Sequence, residues 1–193
     1  EEQAAKGRIE TVTHEGIARR IGVIVLPTFY VDLKSKLNDG EEFRSSTRDV
    51  ARILSDMKTG SVEGVVLDLR NNGGGSLAEA VEMTGLFLPA GPVVQVKEIR
   101  GIQALSDPDP GILWSGPLVI LVNRQSASAS EILAAALQDY GRALIVGDSE
   151  THGKGTVQSL VNLDQRDPRL GSVKLTTASF HRISGYSTQR RGV

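Results

Sequence analysis

Val65-Val-Leu-Asp-Leu-Arg-Asn-Asn-Gly-Gly-Gly-Ser-Leu-Ala-Glu79 is the stretch on which the reading of the fold turns. Val65–Leu69 is an apolar run of strand length, Asn71-Asn72-Gly73-Gly74-Gly75 follows it, and Ser76-Leu-Ala-Glu79 opens a helix as an S-x-x-E capping box. The same order of signals returns 52 residues later: an apolar strand at Pro117–Val122, a turn at Asn123-Arg124-Gln125, and a second box at Ser128-Ala-Ser-Glu131. A further apolar segment follows each helix, Val93–Val96 and Leu144–Val146. Two strand–helix–strand copies predict an α/β core with parallel strands and right-handed crossovers. Continuously apolar strands fit a sheet covered on both faces.

Working outward, residues 1–20 are charged and weakly patterned and read as a connector. A buried strand is expected at Ile21–Leu26, closed by Pro27, and the polar stretch Asp32–Ser45, with Asn38-Asp39-Gly40, reads as an exposed loop. Val50, Ile53, Leu54 and Met57 recur at helical spacing, with Ser46 as the expected N-cap and Gly60 as the stop. Beyond Gly147 the pattern changes. A loop with Gly153 and Gly155 precedes alternating segments near Thr156–Val161 and Ser172–Phe180, separated by an expected turn at Asp164–Leu170 that holds Asp167-Pro168. This part reads as antiparallel.

The chain has 193 residues, the size of one generous domain, and 23% of them are charged, an ordinary globular value. The 22 Lys and Arg nearly cancel the 23 Asp and Glu, so there is no global basic field for nucleic acid. No apolar run approaches the roughly 20 residues of a membrane span. Without cysteine there is no disulfide, thiol nucleophile or cysteine-ligated zinc. His14, His152 and His181 lack metal-ligand spacing, so no metal or other cofactor is expected. The chain begins at Glu1 without Met and reads as a piece of a longer precursor.

Ligands of open α/β sheets bind beyond the carboxyl ends of the strands, where both repeat loops lie. The glycine triplet serves either as a tight turn or as a cradle whose N–H groups approach an anion. Ser128 is either a plain N-cap or a nucleophile. Lys154, between Gly153 and Gly155, is either a solvated surface residue or a general base for a serine; Gln158, four residues on in an extended segment, could hold its amine. The spacing Gly147 to Gly153 fails the phosphate-loop pattern, and Gly73-Gly74-Gly75-Ser-Leu-Ala78 fits the dinucleotide fingerprint only superficially. The chemical rival is a Ser-His-Asp set of Ser128, His152 and Asp148. Asp139 cannot be its acid, lying roughly 16 Å along the helix axis from Ser128. Asp139 and Arg142 are expected to pair with each other or with loop backbone.

Val65–Gly75, Ser126-Ala-Ser-Ala-Ser-Glu131, Gln138-Asp-Tyr-Gly-Arg-Ala143 and Gly153-Lys-Gly-Thr-Val-Gln158 resemble, in order, the C-terminal processing, or tail-specific, protease family of serine peptidases. The likeness runs from about Gly22 to Val193. It implies a crotonase/Clp-protease-like core and a Ser-Lys mechanism without cofactor: Ser128 as nucleophile, Lys154 as base, Gln158 as its orienting partner, and the N–H groups of Gly75 and Ala129 as oxyanion hole. It also implies substrates with apolar C-termini, a PDZ domain in the same full-length chain, a periplasmic location and, for some members, an adaptor lipoprotein. Residues 1–20 then read as the connector from the PDZ region, and 21–193 as the catalytic domain. Three features depart from the family: His152 stands where an aromatic residue usually precedes Gly-Lys-Gly, the loop Asp148–His152 is one residue longer, and His181 replaces a usual Tyr. Two rival readings are a non-catalytic peptide-binding module with a protease-like core and a Ser-His hydrolase using His152.

Overall fold

The structure is a computed structural model that describes residues 4–32, 43–164 and 170–193. Most of the expected Asp32–Ser45 loop, with Asn38-Asp39-Gly40, and the Asp167-Pro168 turn lie outside the described residues.

The first sheet has five strands in the order β1-β2-β3-β6-β7: β1 Lys6–His14, β2 Ile17–Val25, β3 Gly64–Asp68, β6 Leu118–Val122 and β7 Leu144–Gly147. β2, β3, β6 and β7 run parallel, and β1 is antiparallel to β2. The second sheet is antiparallel, in the order β5-β4-β9-β8: β4 Gly91–Glu98, β5 Gly101–Asp107, β8 Thr156–Asn162 and β9 Ser172–His181. Among the described residues, three helices complete the core: α1 Ser46–Thr59, α2 Leu77–Gly85 and α3 Ala129–Asp139. Ile24, Leu54, Leu67, Met83, Phe87, Ile120, Leu133 and Leu137 are fully buried, which places the core between the parallel strands and the helices.

The α/β class and the antiparallel C-terminal strands match the sequence reading. The second copy, β6–α3–β7, is a parallel unit as expected. The first is not. Val93–Val96 falls within β4, which leaves the parallel sheet for the antiparallel one. Its Gln95, Lys97 and Glu98 explain this, since a strand with polar residues suits a half-wet sheet better than one covered on both faces. β3 instead completes a unit with β2 and α1. Residues 6–20, read as connector, form β1 and the start of β2. Their polar faces hide the strand signal, but Glu15 and Gly16, both at positive φ (50° and 79°), close a tight hairpin. Gly60 ends α1 as expected. Its N-cap is Ser45 rather than Ser46: Ser45 has extended dihedrals and accepts from Arg48 N–H, while Ser46 has entered the helix.

Candidate active site

β3 and β6 are parallel neighbours, so the loops that follow them leave the sheet at the same end. Side-chain amides clasp the two loops together. Asn71 N–H donates to Asn123 Oδ1 (2.9 Å), and Asn123 Nδ2 donates to Asn71 Oδ1 (2.8 Å). Asn72 is fully buried; its Nδ2 donates to Leu26 C=O and its Oδ1 accepts from Gly74 N–H.

The alternation Ser126-Ala-Ser-Ala-Ser130 now acquires a meaning. Ser126 Oγ donates to Leu69 C=O (2.8 Å) and Ser130 Oγ donates to Asn72 C=O (2.9 Å). Both outer serines are fully buried and stitch the second loop to the first. The middle one, Ser128, is half-buried and lines a cleft of about 350 Å³. Its backbone sits at φ 59°, ψ −112°, a conformation that L residues rarely adopt and that concentrates at functional sites.

The opposite wall comes from the glycine triplet. Gly74 and Gly75 have φ of 102° and 142°. A Cβ on Gly74 would lie 2.8 Å from Ser128 Cβ, and one on Gly75 would lie 2.1 Å from Phe29 C=O. Only glycine permits this approach. The segment pairs with Phe29, whose N–H donates to Gly74 C=O and whose C=O accepts from Ser76 N–H. Among the hydrogen bonds of the described residues, none uses the Gly75 N–H or the Ala129 N–H. The second of these is an orphan donor of the first helical turn.

The third component is the Gly153–Gly155 loop, and a residue read from sequence only as part of a helix cap fixes it. Glu131 is fully buried, and its carboxylate accepts from four donors: Ser128 N–H (2.7 Å), Thr151 Oγ1 (2.7 Å), Gly153 N–H (2.7 Å) and Lys154 N–H (3.0 Å). One carboxylate therefore ties the backbone of Ser128 to that of Lys154. From the other side the C-terminal segment holds the loop: Arg190 N–H donates to Gly153 C=O, Thr188 Oγ1 to Lys154 C=O, and Gly155 N–H to Gln189 Oε1.

Gly73, Gly75, Ser128, Ala129, Lys154 and Gln158 all line the one cleft. Among the described residues no hydrogen bond joins Lys154 Nζ to Ser128 Oγ or to the Gln158 amide, and Gln158 is exposed. His152 is exposed and outside the cleft lining, while the Asp148 carboxylate accepts from Arg124 N–H. The Ser128-His152-Asp148 set is thus not assembled. Arg142 donates to the loop carbonyls of Phe87, Trp114 and Gly116, one of the two expectations for it. Asp139 is corrected: it pairs with Arg182, across 43 residues, a partner with no local signal in the sequence. Among the described residues no three His, Cys, Asp or Glu side chains converge as a metal centre.

A serine on a strained backbone, a lysine and two backbone N–H groups thus meet around one cleft of a two-sheet α/β core, an arrangement compatible with a serine-type peptidase. The chain belongs to peptidase family S41, whose model matches residues 20–193. It is 42% identical over 200 residues to the tail-specific protease of Haemophilus influenzae, covering all of this chain and 26% of that protein. It is 40% identical over 143 residues to the carboxy-terminal-processing protease of Bartonella bacilliformis, covering 73% of this chain and 32% of that protein. The chain thus spans about a quarter to a third of these curated relatives. Among solved structures, the photosystem II D1 C-terminal processing protease superposes with a TM-score of 0.77 at 29% identity, over 98% of this chain and 46% of that one.

Proposed function

We propose that this chain carries the catalytic centre of a tail-specific serine endopeptidase that works through a Ser128–Lys154 dyad. The observation that carries the reading is the shared cleft, lined by Ser128, Lys154, Gln158 and the two backbone donors. Lys154, as the free amine, takes the proton of Ser128 Oγ while Oγ attacks the scissile carbonyl carbon. The carbonyl oxygen gains negative charge and is received by the Gly75 and Ala129 N–H groups, which are held in place before the reaction and need no reorganisation. The tetrahedral adduct collapses to a Ser128 ester, and the Lys154 ammonium returns its proton to the departing amine. Water, deprotonated by the same lysine, then releases the acid and restores Ser128. Gln158 steadies the amine as a neutral partner once substrate fills the cleft.

The resemblance extends the proposal to the intact protein: substrates with apolar C-termini, a PDZ domain that captures them, work in the periplasm and, for some relatives, an adaptor lipoprotein. A tethered capture domain raises the local concentration of a tail near Ser128, and an isolated core would lose that advantage. The deciding experiment is an acylating serine reagent applied to the intact protein. Labelling of a single residue, abolished by Ser128→Ala and retained in Ser126→Ala and Ser130→Ala, is the expected result. An unlabelled but folded wild type would favour a peptide-binding module instead.

A further inference from the structure

We propose that Lys174, on β9, recognises a carboxylate of the substrate within two or three residues of the scissile bond. The inference deepens the peptidase reading above and rests on it. Among the described residues that line the cleft, Lys174 is the one charged side chain besides the proposed base Lys154. The chain as a whole has a net charge of −1, so this local positive field is not a general property of the molecule. Neither side chain holds an ion pair with a described residue. Lys154 is committed to proton transfer at Ser128. Lys174 has no such role and no hydrogen-bond or ion-pair partner among the described residues, yet it faces the same space.

Its spacing from Gln158, which lines the same cleft, follows from strand register. Gln158 is opposite Thr176 across the β8–β9 pair, and Lys174 is two residues further along β9. Two residues of a strand span about 7 Å and keep to one face. An extended substrate covers that distance in about two residues. A carboxylate carried there, as an Asp or Glu side chain or as the terminal carboxylate of a short tail, meets a charge with no competing acid among the described residues of the lining. Because Lys174 itself is exposed, the attraction is modest and falls with salt.

The test compares fluorogenic peptides with apolar C-termini, cleaved by the intact protein, that carry Glu or Gln at each of the three positions on either side of the cleaved bond. At one position the Glu peptide should have a kcat/KM about two- to fivefold higher at low salt, converging with Gln as salt rises. Lys174→Met should bring that ratio to one and Lys174→Glu should invert it. Peptides ending two or three residues beyond the bond, as free acid or amide, distinguish a terminal carboxylate from a side chain: a preference for the acid, lost in Lys174→Met, assigns the terminal one. Ratios that are the same in wild type and both variants, with Ser128-dependent labelling intact, overturn the proposal alone. Labelling that persists in Ser128→Ala overturns the peptidase reading, and this proposal with it.

Discussion

Ser76–Glu79 and Ser128–Glu131 have the same end residues, the same spacing and the same place after a parallel strand, yet they do different work. Ser76 is an ordinary N-cap. Its dihedrals are extended (φ −68°, ψ 126°), its Oγ accepts from Glu79 N–H, and its own N–H pairs with Phe29 C=O. Glu79 is released from the cap and sends one oxygen to Ser45 Oγ, Ser46 Oγ and Thr47 N–H, pinning the start of α1. Ser128 instead sits at φ 59°, and Glu131 reaches back to its N–H while holding the Gly153–Gly155 loop. Both glutamates are fully buried and each secures a distant segment. In the first copy that segment is structural. In the second it carries Lys154.

The difference teaches that a capping motif fixes where a serine stands but not what it is for. What separates the two is backbone strain and the destination of the carboxylate, both products of tertiary structure. The largest contrast should come from the serines. Ser128→Ala should lower turnover by about 10⁴-fold or more with the fold retained. Ser76→Ala should leave the rate per folded molecule unchanged and cost about 1 kcal/mol, a drop of a few degrees in Tm. Peptidase assays beside thermal melts decide it, and comparable activity losses in both variants would erase the distinction.

The base comes next. Lys154→Ala should remove nearly all activity, and Lys154→Arg should fail too, because a guanidinium does not release its proton. His152→Phe changes an exposed side chain outside the cleft. It should keep activity. If instead His152→Phe were dead and Lys154→Ala active, the base would be misassigned.

The glutamates give the third contrast. Glu131 faces three N–H groups and one hydroxyl. A glutamine there turns its own NH₂ toward donors, which should cost about 2–4 kcal/mol. By loosening the tie between Ser128 and Lys154 it should also lower kcat about 100-fold with little change in KM. Glu79 has one oxygen that accepts three bonds and another without a partner among the described residues. Glu79→Gln keeps the accepting oxygen, so it should cost about 1 kcal/mol and leave kcat alone. A fall in kcat of similar size in both would mean that Glu131 acts through stability only.

These contrasts also mark how far the sequence could be read. The continuous apolar runs of β3 and β6, the two boxes and the Gly-Lys-Gly loop are local signals, and they located the sheet, two helices and the candidate residues around the cleft. The partners of Glu131 and Glu79 are not local, so the same four-residue motif gave no hint of their separate destinations. Arg182 meets Asp139 for the same reason. β1 carries no legible signal because every residue in it is exposed, leaving no hydrophobic alternation. β4 differs from the expected parallel strand because its apolar window Val93–Val96 is flanked by Lys97 and Glu98, which suit a half-wet sheet.

The smallest effect concerns a place where the copies differ in sequence. Asp68-Leu-Arg70 ends the first strand, and Ile120-Leu-Val122 stands in the matching positions of the second. Arg70 donates to Asp68 through Nε (2.9 Å) and Nη2 (2.7 Å). Burial pulls the Asp68 carboxyl upward, but the hydrogen bonds and charge of Arg70 outweigh it and hold the group below its ordinary value. A carboxyl lowered in the folded state releases its proton more readily there than in the unfolded chain. Its contribution to stability is therefore complete above the unfolded value and disappears as pH falls through the folded one. Arg70→Val removes the side-chain hydrogen bonds and the charge but keeps the backbone N–H of residue 70 on Asp68 Oδ1, so the lowering shrinks and the acid unfolding midpoint should move upward. Asp68→Ile with Arg70→Val copies the second strand onto the first and removes the titrating group altogether. Replacing both partners of a pair by apolar residues is often neutral where removing one is not. The double variant should then be less acid-sensitive than Arg70→Val, measured by circular dichroism across an acid titration. If the single and double variants unfold at the same pH, Asp68 contributes nothing to the acid limb, and the two strand ends are equivalent despite their sequences.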